Sequence, residues 1–228
     1  MTGPDAPGLP PLEIREGHLT VDRSALFCSA GGHGKVEEIW VVLHGFGMHA
    51  RDFLGWFRPV VTPHRLVVAP EALNRYYTNH KTGRTGATWM TRHERLFEIE
   101  DYVRYLDQLL EVIRAEVGTN VPVQVHAFSQ GAATGARWVS YGKVRPTRLV
   151  LWGGGVPPDL ELARHRERLE AADVTIVVGD RDQYLNEEQI QAEVQRLTAG
   201  GLTFRLERFT GGHVIPWPLL ESIAAGPA

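Results

Sequence analysis

Ser129 stands in the segment Ala127-Phe128-Ser129-Gln130-Gly131, between an apolar stretch and one rich in Ala and Gly. This is a small-x-Ser-x-small pattern, a relaxed form of G-x-S-x-G. At a sharp strand-to-helix turn the serine backbone is strained, so the residues two positions either side must be small. Alanine at 127 fits sterically where the pattern ordinarily has glycine. A serine presented in this way becomes a nucleophile when a base and an acid reach it. A serine near a helix start can equally act as a cap, and the pentapeptide alone does not separate the two. Three other segments carry the missing chemistry. Gly211-Gly212-His213 offers a base, Val178-Gly179-Asp180-Arg181-Asp182 offers two carboxylates, and His44-Gly45-Phe46-Gly47 offers main-chain donors.

These segments need elements to position them, and the hydropathy pattern supplies a set. Residues 39–43, 65–69, 149–152 and 174–178 are continuous apolar runs, as expected of strands buried on both faces. Residues 121–128 and 204–209 also read as strands, and residues 18–30 as an extended stretch closed by a glycine-rich turn. Ile99, Tyr102, Val103, Leu106, Leu109, Leu110, Ile113 and Val117 recur at helical spacing, one apolar stripe against a sheet. Further helices are expected over residues 52–60 with Asp52 as a cap, and over 130–141, 159–172, 187–198 and 219–225. Alternating strands and helices predict a mostly parallel sheet covered on both faces. Chemistry in such sheets gathers at the carboxyl ends of the strands, where all four segments fall. The long stretch over residues 71–91 carries Tyr76, Tyr77 and Trp89 and is expected to be an irregular functional loop.

The chain order Ser, Asp, His is that of α/β-hydrolases. More specifically, the sequence resembles their phospholipase/carboxylesterase/acyl-protein-thioesterase branch. The likeness rests on Leu43 to Gly47 as L-H-G-x-G, Phe128 to Gly131 as F-S-Q-G, Gly179 to Asp182 as G-x-x-D, and Gly211 to His213 as G-G-H. It runs from about Ile39 to the C-terminus, with Ala127 as its main departure. The resemblance implies an α/β-hydrolase fold with Ser129 as nucleophile, His213 as base and Asp182 as the acid. The family's spacing favours Asp182, with Leu185 three residues on, and leaves Asp180 as a turn residue. By position the resemblance also implies Phe46 and Gln130 as main-chain oxyanion donors, their side chains free to line the pocket.

Composition excludes several other classes. The 228 residues carry 24 Lys+Arg against 27 Asp+Glu, a net charge of −3, so no basic surplus suits nucleic acid. The only lysines are Lys35, Lys81 and Lys143; the remaining cations are arginines. A lone cysteine, Cys28, excludes an intrachain disulfide and thiolate metal clusters. His44, His49 and His126 form no metal-ligand run, and His44 is expected to order the oxyanion loop instead. No apolar run approaches a membrane span of about 20 residues. Residues 1–11 are rich in Pro and Gly, without the pattern of a signal peptide, and are expected to be a flexible segment before a single domain over 12–228. A cytoplasmic enzyme without cofactor or metal is expected, its oligomeric state open, a homodimer included.

Together these readings predict a serine hydrolase for carboxylic esters of short-to-medium acyl chain. Thioesters and lysophospholipids are close variants on the same residues. A catalytically silent binding module is the alternative of another class, and an intact triad speaks against it. Only one charged helix stands between the strands ending at Trp152 and beginning near Val174, so no cap domain is expected there. Phe46, Trp89 and Trp217 are the expected walls of an apolar substrate groove.

Overall fold

The computed structural model describes residues 13–226. The flexible segment expected over residues 1–11 lies outside them. Seven strands form one sheet: β1 (Phe27–Gly31), β2 (Glu38–Leu43), β3 (Arg65–Pro70), β6 (Val123–Phe128), β7 (Arg148–Trp152), β8 (Val174–Gly179) and β9 (Arg205–Phe209). Their order is β1-β3-β2-β6-β7-β8-β9, with β1 antiparallel and every other pairing parallel. Strand residues alternate between two cores. Ile39, Val41, Leu43, Val125, Leu149, Leu151 and Ile176 face one side, packed by α2 (Arg95–Val117), α3 (Gln130–Tyr141), α4 (Leu162–Glu170) and α5 (Glu187–Ala199). Trp40, Val42, Val67, Val150, Trp152 and Val177 face the other, where Phe53, Phe57 and Leu220 close over them. Those three belong to α1 (Ala50–Leu54), the 3-10 turn Gly55–Val60 and α6 (Trp217–Ala225). Burial on both faces is why these strands read as unbroken apolar runs.

The chain builds β2 and β3 in one direction across the sheet and then resumes with β6 on the opposite side of β2. The crevice where the strand order reverses therefore opens above the carboxyl ends of β2 and β6, the place where open parallel sheets bind ligands. No cap stands over it from the β7–β8 connection, which carries α4 alone.

Three expectations are corrected. Residues 71–91 are not irregular: β4 (Asn74–Asn79) and β5 (Arg84–Thr88) pair as an antiparallel hairpin. Asn79 nucleates its turn, Oδ1 accepting from the Lys81 and Thr82 N–H groups, and Gly83 closes it at φ +70°. Of the extended stretch over 18–30, only Phe27 onward joins the sheet, because β3 offers a ladder to Phe27–Gly31 alone. The helix expected over 52–60 begins at Ala50 and turns 3-10 at Gly55. Pro59 has no N–H to continue an α-helix, and Asp52 lies in the first turn rather than at the cap. The Ala50 N–H is taken instead by the Glu71 carboxylate at 3.2 Å.

Candidate active site

Ser129 occupies the junction of β6 and α3 with φ 54° and ψ −117°. Those angles belong to the first central residue of a type II′ turn, a position that ordinarily requires glycine. The serine hydroxyl makes no capping bond to α3, so the plain role of helix cap is not the one it plays. Sequence neighbours explain how the bend fits. A side chain at Gly131 would collide with the carbonyl oxygens of Leu43 and His44, so only glycine lets α3 start this close to β2. The Ser129 N–H is held by the Trp152 carbonyl at 2.8 Å, which ties the bend to β7.

Register brings the loop after β2 beside the serine. Leu43 pairs with Ala127, and a side chain at Gly45 would lie 3.2 Å from the Ser129 Cβ. The Phe46 N–H donates to no main-chain partner, and the Gln130 N–H, first in α3, has none inside its helix. This loop is braced on every side. The buried His44 bonds through Nδ1 to the Gly45 carbonyl at 2.7 Å and accepts at Nε2 from the Ala72 N–H at 3.0 Å. Burial lowers its pKa to about 4, so the ring stays neutral with Nδ1 protonated. Gly47 and Met48 form a bridge with Ala87 of the hairpin. The Trp89 indole N–H donates to the His44 carbonyl at 2.8 Å.

On the other side of the serine, the loops after β8 and β9 bring Asp182 and His213 together. Asp182 Oδ2 accepts from His213 Nδ1 at 2.7 Å. Its Oδ1 accepts from the Tyr184 and Leu185 N–H groups at 2.8 and 3.3 Å, and the side chain is 1% exposed. Asp180 points elsewhere, to the Gly211 N–H at 2.9 Å. The His213 ring is flanked by Phe128 and Tyr184, with centroids at 4.6 and 4.7 Å. It also rests on Gly153, at φ +55°, where an added Cβ would strike the ring at 2.9 Å. Among the described residues no hydrogen bond joins Ser129 Oγ to His213. Such contacts are often long until a substrate is bound.

Two expectations about the pocket change. Trp89 is 1% exposed, a core residue beneath the loop that carries Phe46 rather than a groove wall. Phe46 and Trp217 are 59% and 52% exposed, with Phe46 against Tyr76 and Trp217 bonded to the Trp56 carbonyl. The side chain of Gln130 is also not free. Its amide bonds Thr88 Oγ1, the Trp89 N–H and the Met90 carbonyl, clamping the elbow to the end of β5. A cavity of about 560 Å³ lies beside the elbow. Gln130, Ala133, Gly154, Val156, Leu185 and Ile190 are among its walls. Ser129 is not among its walls, but its neighbour Gln130 is, as is Gly154, where an added Cβ would lie 2.8 Å from the Ser129 carbonyl oxygen. Glu71 is a further participant that the sequence did not single out. Burial raises its pKa, but bonds from Arg75, Ala50 and His49 outweigh this and hold it below the usual range.

His44, His49 and His126 do not converge, and no group of three or more His, Cys, Asp or Glu among the described residues could hold a metal ion. No helix among the described residues is long and apolar enough to cross a membrane.

No family model and no curated protein matches the chain. Solved structures do. Acyl-protein thioesterase 2 of Zea mays is similar over 89% of this chain and 97% of its own, at 16% identity and a TM-score of 0.68. Esterase PE8 is 22% identical over 90% of this chain and 97% of its own, with a TM-score of 0.61. A phospholipase/carboxylesterase of Dyadobacter fermentans is 15% identical over 91% and 98%, with a TM-score of 0.63. At these identities the likeness is one of fold, and that fold is the α/β-hydrolase fold.

Proposed function

We propose that this chain is a serine hydrolase that cleaves carboxylic esters through an acyl-enzyme on Ser129. The observation that carries the reading is the Asp182–His213 pair: two separate strand-end loops converge on Gly153, one residue past the Trp152 carbonyl that anchors Ser129. With Nδ1 committed to a carboxylate, His213 presents Nε2 as the base. Ser129 Oγ attacks the acyl carbon while His213 takes its proton. Asp182, buried and already accepting two main-chain bonds, stabilises the imidazolium that forms. The Phe46 and Gln130 N–H groups receive the oxyanion, each contributing roughly 3–4 kcal/mol to the barrier reduction. His213 then returns the proton to the leaving alcohol, and water releases the acid by the same steps reversed.

The acyl chain enters the cavity beyond Gln130 and Gly154, and the alcohol leaves past the exposed Phe46. A cavity of about 560 Å³ suits short-to-medium chains. The fold neighbours named as esterase, thioesterase and phospholipase/carboxylesterase agree with ester chemistry. Thioesters would be attacked by the same geometry.

A fluorophosphonate probe tests this directly. Stoichiometric labelling of wild type and none of Ser129→Ala is expected, together with loss of p-nitrophenyl ester turnover in the variant. An unlabelled wild-type protein would instead favour a silent binding module.

A further inference from the structure

Gln130, Ala133 and Arg137 follow one another along one face of α3 and all line the cavity. Arg137 is the unexpected member. It is only 5% exposed, in a cavity otherwise walled mainly by apolar groups and glycine main chain. A buried guanidinium ordinarily spends its donors on oxygen acceptors. Arg137 spends one on a carboxylate, Nη2 bonding Asp159 Oδ1 at 2.7 Å, and the Tyr102 hydroxyl beside it also favours its charged form. Nη1 meets only the thioether of Met90 at 3.5 Å, a weak acceptor, and Nε has no partner among the described residues. Met90 itself lines the cavity.

The local charge is also unbalanced. Asp159 is shared with Arg95, whose Nη2 bonds Oδ2 at 2.7 Å, so two guanidiniums sit on one carboxylate. Tyr102, next to Arg137, adds no negative charge, because burial pushes its pKa up to about 12. The carboxylate of the cavity wall, Glu193, is neutralised by Arg196. One positive charge is left over at the Arg137 end.

Resting on the hydrolase reading, we propose that the cavity selects acyl groups ending in a carboxylate, with Arg137 binding that carboxylate. Helical rise places the Arg137 Cα about 12 Å along α3 from Ser129, and helical side chains lean back toward the N-terminus. Because the Arg137 side chain leans back over part of that interval, a short-to-medium acyl chain bridges the rest. Its terminal carboxylate displaces the Met90 thioether from Nη1 and accepts from the guanidinium edge, the planar pairing in which arginine is strongest. The apolar walls take the methylenes between.

The test compares p-nitrophenyl monoesters of straight-chain dicarboxylic acids with the alkanoates of equal length, as a ratio of kcat/KM within each protein. Wild type is expected to turn over the dicarboxylic ester at least as well as the alkanoate at the best length. In Arg137→Met the ratio should fall about tenfold or more. Arg95→Gln, at the surface, removes the surplus charge without touching the cavity and should lower the ratio several-fold; it keeps the test decisive if Arg137→Met does not fold. A wild-type ratio of about one hundredth at every length, the penalty for an unpaired buried charge, would overturn the proposal. So would a ratio unchanged in both variants. If alkanoates are hydrolysed but the ratio fails, the selectivity alone is wrong. If neither ester is turned over and Ser129 is not labelled, the hydrolase reading falls with it.

Discussion

The Trp89 indole N–H and the His44 carbonyl lie 2.8 Å apart, across the base of the loop that carries Phe46. Trp89 thereby acts on the candidate oxyanion site from below, without lining the cavity. Trp89→Phe keeps most of the packing and deletes the bond. A stability loss of about 1 kcal/mol is expected. The kcat should fall about tenfold with KM nearly constant, since the donor would be misplaced only for the transition state. Steady-state kinetics on one soluble ester decides; a raised KM with normal kcat would return Trp89 to the role of a pocket wall.

The two carboxylates after β8 should separate cleanly. Asp182→Asn leaves the shape but offers His213 an amide, and kcat should drop by roughly three to four orders of magnitude. Asp180→Asn disturbs only the Gly211 turn and should stay within a few-fold of wild type. The reverse ranking of kcat would exchange their roles.

Ser129 pays for its exposure with backbone strain. Non-glycine residues in sparsely populated regions cost on the order of 1–3 kcal/mol. Glycine relieves this and gives back part of it through unfolded-chain entropy. Ser129→Gly should therefore abolish turnover yet stabilise the fold by about 1 kcal/mol, raising Tm by about 2–4 °C. Calorimetry showing a lower Tm would contradict a strained elbow.

Two buried histidines give stability a defined pH dependence. Burial lowers the His44 pKa to about 4 and that of His126 to about 3, the latter helped by Arg148 and Arg65. Both folded values lie below the unfolded one, so the unfolded chain takes up protons first as pH falls. Their contribution is full above about pH 6.5 and is lost downward from there. Between pH 7 and pH 5 each histidine should cost about 2 kcal/mol. Glu71 and Asp159, held below the usual range, add losses only at lower pH. Urea unfolding at the two pH values should show roughly half the wild-type loss in His126→Phe; an identical loss would exclude this origin.

Chain-length preference should be adjustable from α3. Ala133→Phe places a ring in the cavity next to the elbow. The optimum on p-nitrophenyl alkanoates should move to shorter chains, each excluded methylene forfeiting about 0.8 kcal/mol. An unmoved optimum would put the acyl chain somewhere other than this cavity. Because no cap closes the site, the rate should not jump when substrate forms micelles.

Much of this organisation is legible from residue types because the physics is local. The runs at 39–43, 65–69, 149–152 and 174–178 have to be strands buried twice over, and they end within one residue of where the sheet ends them. The elbow is legible for the same reason, since Ala127 and Gly131 flank a residue whose angles tolerate nothing bulky nearby. The hairpin at Asn74–Thr88 is not legible because its strands are polar and half exposed, although Asn79 and Gly83 mark its turn. Trp89 reads as a groove wall because an aromatic in a polar stretch signals apolar surface without saying which side it faces. Glu71, Gln130 and Arg137 act through side-chain bonds to distant segments, and no spacing rule encodes those. The cavity is hidden for a plainer reason: it consists of what α3, α5 and the loop after β7 leave unfilled.

The run Gly153-Gly154-Gly155 bears on how the protein can be diversified. Gly153 carries the imidazole, Gly154 abuts the Ser129 carbonyl and the Ala132 methyl group, and Gly155 faces Glu193. The rim between the imidazole and the cavity is thus bare main chain, with no side chain to exchange. A mutational library aimed at this rim would return mostly inactive clones. Substrate range can drift through the opposite bank instead, at Ala133, Arg137 and Ile190, where a change of side chain leaves the reacting atoms undisturbed.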